Sequence, residues 1–127
     1  MIATAETDAE NSPAEERPRV LVAIEPRSYR DAVGRAIQAL RPNLEVEVVE
    51  PDDLMLEVLC LNPVLVICSL PRTLRPVPGR PAWFEFHPYE SPAARISIDG
   101  QYFEMEEVDL LDLLSVIDDR AAAARAG

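Results

Sequence analysis

The sequence contains no lysine. All 12 of its basic residues are arginines, against 23 acidic residues, and the formal net charge is −11. Without lysine the chain has no Schiff-base nucleophile and no phosphate-binding lysine of the P-loop type. The excess of negative charge also disfavours DNA and RNA, whose phosphates an acidic surface repels. We therefore expect neither nucleic-acid binding nor lysine-dependent catalysis.

Cysteine and histidine are scarce as well. The chain has two cysteines, Cys60 and Cys68, and one histidine, His87. The spacing of the two cysteines is not that of a zinc site, so no metal ion is predicted. No motif in the sequence points to a cofactor, and none is predicted either.

Long apolar runs and targeting signals are also missing. The first residues are acidic and do not form the basic and apolar regions of a secretory signal peptide. No apolar run approaches the roughly 20 residues that a membrane-spanning helix needs. We expect a cytoplasmic protein with reduced thiols that does not associate with membranes.

The first half of the chain alternates strand and helix patterns. The continuous apolar run at residues 19–25 predicts a strand buried on both faces. Ser28 and Asp31 then have the spacing of a capping box, with Ser28 at the N-cap of a helix that stops before Pro42. Three further elements follow: an edge strand at 44–49, a helix opened by Pro51 and a buried strand at 64–69. Short connections between alternating strands and helices are typical of a wound α/β sheet.

The second half has a different pattern. Four prolines at 71–81 exclude a regular helix there. Residues 82–87 predict a strand of undetermined direction, and Asp99-Gly100 predicts the turn of a hairpin. The hairpin strands are expected at 94–99 and 101–106, and a last helix is expected from about Asp109.

The segment Pro63–Pro71 resembles the third strand of a response-regulator receiver domain, and the resemblance extends over residues 19–71. In that family the strand ends in a phosphoacceptor aspartate, and Cys68 stands at this position. Of the family's metal-binding acidic pair only Glu25 is present, and Ser91 is the sole counterpart found for its conserved hydroxyl residue. The family's lysine has no counterpart in this chain. The resemblance thus implies a receiver scaffold that cannot be phosphorylated in the usual way.

The resemblance implies an α/β fold with three layers, α/β/α. Its flavodoxin-like parallel sheet would be followed by a degenerate second half containing the hairpin and the C-terminal helix. We expect one domain at residues 18–119, preceded by a disordered acidic tail at 1–17 and followed by a frayed tail at 120–127.

The sequence leaves three functions open, the third being an accessory subunit that folds fully only on a partner. The first is a non-catalytic signalling module that binds a protein partner or forms a homodimer. Its interface would use the aromatic-rich strand at 82–87 or the last helix, and aromatic residues are favoured at interface hot spots. The predicted interface residues are Trp83, Phe84, Phe86, Tyr89, Leu111 and Val116.

The alternative is a small ligand-binding domain or a thiol-dependent enzyme. Its cleft would lie near Glu25 and Cys68, because open α/β sheets bind ligands beyond the carboxyl ends of their strands. Arg27 and Ser28, at the start of the first helix, could hold an anion there. A catalytic pair of Cys68 and His87 would require the ends of their two strands to be adjacent.

Overall fold

The structure, a computed structural model, describes residues 17–69, 81–88 and 90–126. Almost all of the predicted acidic tail at 1–17 and of the proline-rich stretch at 71–81 lies outside these residues. The strands are β1 Arg19–Ala23, β2 Glu45–Val48, β3 Leu65–Cys68, β4 Ala82–Phe86, β5 Ala94–Ile98 and β6 Gln101–Met105. The α-helices are α1 Arg27–Leu40, α2 Leu54–Leu61 and α3 Leu110–Ala126, and a single 3₁₀ turn at Pro51–Asp53 precedes α2.

The six strands form one mixed sheet in the order β2-β1-β3-β4-β5-β6. Strands β2, β1, β3 and β4 are parallel, and β5 and β6 add to the edge as an antiparallel pair. The α/β class predicted from the sequence is confirmed, with three helices around this sheet. The direction of the strand at 82–87 is now defined, since β4 runs parallel to β3 with Cys68 opposite Glu85.

The two faces of the sheet carry separate apolar clusters, because neighbouring residues of a strand point to opposite faces. In β1, Val20 and Val22 belong to the first core cluster, together with Ile37 of α1 and Ile117 of α3. The second core cluster takes the alternate residues of the strands and the inner side of α2. It consists of Leu21, Ala23, Val49, Leu54, Val58, Val66, Cys68 and Trp83. Both faces of β1 and β3 are therefore buried, as their continuous apolar runs predict.

The hairpin forms where the sequence predicts it. Asp99 and Gly100 have φ angles of 52° and 82°. Two consecutive residues with positive φ match the twist of a two-residue hairpin turn, and Gly100 adopts that conformation without a steric penalty.

The predicted capping box at the start of α1 is wrong. The helix begins at Arg27, its N-cap is Pro26, and no side chain caps it. The backbone N–H of Arg30 already donates to the carbonyl of Pro26 at 3.0 Å, so the hydrogen-bond ladder starts before Ser28. Ser28 therefore lies inside the first turn, where its hydroxyl is not placed to act as a cap.

The last helix continues well beyond residue 119. Helix α3 runs to Ala126, and Ala121 is buried in the first core cluster. At the other end Asp109 and Asp112 each accept a hydrogen bond from the other's backbone N–H, at 2.9 and 3.2 Å. This reciprocal cap explains why the helix begins where the sequence predicts. None of the described helices combines the length and apolar character needed to span a bilayer.

Candidate functional site

A cleft opens where the parallel strands β1, β3 and β4 end. Each strand is followed at this edge by a polar residue: Glu25 after β1, Ser69 after β3 and His87 after β4. The cleft has a volume of about 360 Å³ and is also lined by Glu90. The carboxyl ends of parallel strands are the usual place for a ligand in an open α/β sheet. We call it the strand-end cleft.

Ser69 joins the three strand ends. Its hydroxyl donates to the carbonyl of Phe86 at 2.7 Å and accepts from the backbone N–H of Glu25 at 3.1 Å. Because its proton is held by a backbone carbonyl, the hydroxyl is not activated by a general base in this arrangement. Ser69 therefore acts here as a structural link between β1, β3 and β4.

Replacing Ser69 by alanine is expected to lower the free energy of unfolding by about 1 kcal/mol, the net value of a hydrogen bond in a folded protein. The matched control is Ser28→Ala. Ser28 is exposed and makes no cap bond, so its replacement is expected to cost less than about 0.5 kcal/mol. Urea denaturation monitored by circular dichroism measures both changes. A loss of about 1 kcal/mol at Ser28, the value of a working N-cap, would contradict the assignment of Pro26 as the cap.

His87 is held by a carboxylate on its own strand. Its Nε2 lies 2.8 Å from Oε2 of Glu85, whose side chain is buried. The two residues share a face of the sheet because they are two positions apart. Glu85 thereby orients the imidazole at the edge of the strand-end cleft.

The strand ends required for a pair of Cys68 and His87 are adjacent, since β3 and β4 are neighbours. However, the side chain of Cys68 is 0% exposed, within the second core cluster, and Nε2 of His87 is bonded to Glu85. A thiol must reach its substrate as an exposed thiolate to be a nucleophile. The burial of Cys68 therefore disfavours a thiol-dependent reaction and fits the behaviour of a small core residue.

The structure does not bring the residues of the predicted anion site together in one cleft. Arg27 and Ser28 are exposed on the first turn of α1, and neither lines the strand-end cleft. Glu25 does line it, but with the carboxylate of Glu90. Two carboxylates disfavour a bound anion by like-charge repulsion. Among the described residues no group of three or more histidines, cysteines and acidic residues is arranged to hold a metal ion.

Arg30 is a buried arginine that the sequence argument did not single out. Its guanidinium lies 3.5 Å from the carbonyl of Ile24 and 3.4 Å from the carboxylate of Glu50, and the side chain is 3% exposed. It ties α1 to the ends of β1 and β2. A signal was present in the sequence, since Arg30 lies three and seven positions before the core-facing Val33 and Ile37.

The aromatic strand β4 does not expose Trp83 and Phe84, which are two of the predicted interface residues. Trp83 is 3% exposed and Phe84 is fully buried, one on each face of β4. Phe86 is partly buried, with its ring centroid 6.3 Å from that of Tyr29. Tyr89 lies outside the described residues. The predicted interface residue Trp83 is therefore buried, because core clusters cover both faces of β4.

The interface residues predicted on the last helix have different environments. Leu111 is 75% exposed, whereas Val116 is partly buried against the first core cluster. Among the predicted interface residues that the structure describes, Leu111 is therefore the one whose side chain is largely exposed.

Helix α2 has only one polar residue in its sequence Leu-Met-Leu-Glu-Val-Leu-Cys-Leu, and several of its apolar side chains are exposed. Leu54 and Val58 face the core, while Met55, Leu56 and Leu59 are 50%, 63% and 76% exposed. Cys60 is exposed beside them. At 100° per residue, positions 55, 56, 59 and 60 share one side of the helix. We call these four residues the α2 outer face.

Acidic residues accompany the α2 outer face. Asp52 and Asp53 are exposed in the turn before α2, and Glu57 is half-buried on the helix. None of the three has an ion-pair partner in the part of the chain that the structure describes. The α2 outer face thus lies in a negatively charged environment.

Comparisons of the chain with protein-family models, curated proteins and solved structures give no match.

Proposed function

We propose that this protein is a non-catalytic, receiver-like protein-interaction module that binds a partner through the α2 outer face. The observation that carries the proposal is the exposure of Met55, Leu56 and Leu59 on one side of a single helix. Apolar side chains gathered on one surface, with polar residues around them, mark interaction sites in soluble proteins.

The receiver-like part of the proposal rests on the strands. The parallel strands in the order β2-β1-β3-β4, with separate apolar clusters on the two faces, are compatible with a three-layer receiver-like arrangement. Cys68 ends β3 where a receiver has its phosphoacceptor. A thiol there, with Glu25 as the only nearby counterpart of the acidic pair, is a poor setting for Mg²⁺, which prefers several oxygen ligands. The absence of lysine removes a further part of receiver chemistry.

The charge of the protein indicates what kind of partner fits. Asp52, Asp53 and Glu57 would favour arginine or lysine side chains beside the apolar contacts, and the net charge of −11 would strengthen that attraction. The same charge opposes association of two copies of this chain. The proposed partner segment is therefore a basic amphipathic helix, whose apolar side would lie against Met55, Leu56 and Leu59.

Binding can be tested with a synthetic peptide of about 18 residues, roughly five helical turns, that has leucines on one side and arginines on the other. A peptide of the same composition in scrambled order serves as the control ligand. We expect Leu59→Asp to weaken binding of the amphipathic peptide by about tenfold or more, because a carboxylate would replace an apolar contact. Fluorescence anisotropy of a labelled peptide measures the dissociation constants.

The matched control variant is Leu111→Asp. Leu59 and Leu111 are both helical leucines and are 76% and 75% exposed. Leu111→Asp should leave peptide affinity unchanged if α2 is the binding surface. Equal losses in the two variants, or equal affinity for the scrambled peptide, would contradict the proposal. A stable dimer of the free protein that Leu59→Asp dissociates would replace the basic partner by a second copy of the chain.

A further inference from the structure

A second, apolar cavity lies on the face of the sheet that α1 and α3 cover. Its floor is formed by Ile24, which follows β1, by Ile67 of β3 and by Phe84 in the middle of β4. Val33 of α1 and Leu113 of α3 line its sides. The volume is about 90 Å³. This apolar cavity is separate from the strand-end cleft, since the two share no lining residue.

The side chains that line the cavity offer few hydrogen-bond partners to a water molecule. Two of the ten lining residues carry polar side-chain atoms, Tyr29 and Asp109. Oδ1 of Asp109 already accepts the backbone N–H of Asp112 at 2.9 Å, in the cap of α3. A buried water molecule needs about two to four polar partners, so the chemistry of the walls favours an apolar occupant.

The size of the cavity limits the occupant. The cavity borders the first core cluster and is partly open to solvent, and its volume of about 90 Å³ is larger than that of a single water molecule. Apolar cavities of about 150 Å³ in other proteins stay dry and bind benzene or xenon. The smaller cavity of this protein limits the occupant to at most one aromatic ring or one short branched alkyl group.

The cavity also has an entrance. Leu110, at the first turn of α3, belongs to the lining and is 39% exposed. The cavity is already partly open to solvent, so a small molecule can enter it without a change in the sheet. Tyr29 and Phe86, whose rings are tilted by 59° to each other, form an aromatic wall suited to edge contacts with a bound ring.

We propose that this cavity binds a small uncharged apolar molecule, one aromatic ring or a short branched hydrocarbon. Binding is proposed as an activity of the first core cluster and is independent of any partner at the α2 outer face. The bound molecule would regain the packing contacts that the cavity lacks, so it would stabilise the folded state.

Benzene is the probe for the test, added to the full-length protein and followed by methyl NMR and thermal unfolding. We expect chemical-shift changes centred on the methyl groups of Val33, Ile67 and Leu113, and a midpoint of unfolding that rises with benzene concentration. Val33→Phe places a ring in the cavity and should abolish both effects. Val116→Phe enlarges a valine that packs on the same cluster outside the cavity, and it should retain both.

If Val33→Phe does not fold, the spectra and the unfolding midpoint of the wild-type protein still test the proposal. Absence of shift changes in the three lining residues at saturating benzene, or no rise in the unfolding midpoint, would overturn the proposal. So would shifts of equal size in the second core cluster, because they would show unspecific partitioning. Phenol, which adds one hydroxyl to the ring, is expected to bind less tightly, because the lining offers few polar partners.

Discussion

Replacing Cys68 by aspartate, the residue that receiver domains have at the end of their third strand, is expected to destabilise the protein by about 3–5 kcal/mol at neutral pH. Cys68 is 0% exposed and is packed with Ala23, Val66 and Trp83 in the second core cluster. A carboxylate at this position would leave water and enter an apolar environment. The loss of stability should become smaller as the pH falls. Burial raises the pKa of a carboxyl group, so at acidic pH the introduced side chain is protonated and uncharged in the folded state.

Urea denaturation at neutral and at acidic pH measures this effect, with Cys60→Asp as the matched control. Cys60 is exposed on α2, so the same substitution there is expected to change stability by less than about 1 kcal/mol. Treatment of Cys68→Asp with acetyl phosphate should add no phosphoryl group detectable by intact mass. If the variant kept wild-type stability and accepted phosphate, the end of β3 would be accessible to solvent, and this single substitution would be sufficient for phosphorylation.

Phe84→Ala is expected to cost a similar amount, about 3–5 kcal/mol, the usual range for removing a buried phenylalanine. Phe84 is fully buried in the centre of the sheet, where β4 lies between β3 and β5. The stability of a domain of this size is only about 5–15 kcal/mol, so the variant should be close to unfolding at room temperature. Its ring also forms part of the floor of the apolar cavity, which would become larger.

The matched control for Phe84 is Phe103→Ala. Phe103 also lies on a strand, the edge strand β6, but it is 49% exposed. Its replacement should cost about 1 kcal/mol or less. Trp83 is the only tryptophan and is buried, so its fluorescence reports unfolding in both variants. Similar losses at Phe84 and Phe103 would contradict the placement of the core around β4.

Local patterns predicted much of the fold. The apolar runs of β1 and β3 define strands buried on both faces, and the dipeptide Asp99-Gly100 defines its hairpin turn because few residues tolerate positive φ. The start of α1 was missed for a local reason. Pro26 takes the N-cap, so the serine that has the better capping side chain lies inside the helix.

Long-range contacts explain what local patterns could not predict. Alternation in β4 separates Trp83 from Phe84 but does not show that apolar clusters cover both faces. The same limit applies to α2, whose apolar residues divide between the core, with Leu54 and Val58, and the surface, with Met55 and Leu59. The grouping of Glu25, Ser69 and His87 likewise depends on the order of the strands, which follows from pairing across the chain.

The alkylation rate of Cys60 tests the proposed interaction most directly. Cys60 belongs to the α2 outer face, and Cys68 is buried, so labelling of the folded protein reports on this one face. We expect the basic amphipathic peptide to slow labelling in proportion to the fraction of protein bound, and the scrambled peptide to have no effect. An unchanged labelling rate with saturating peptide would contradict the claim that the α2 outer face binds the partner.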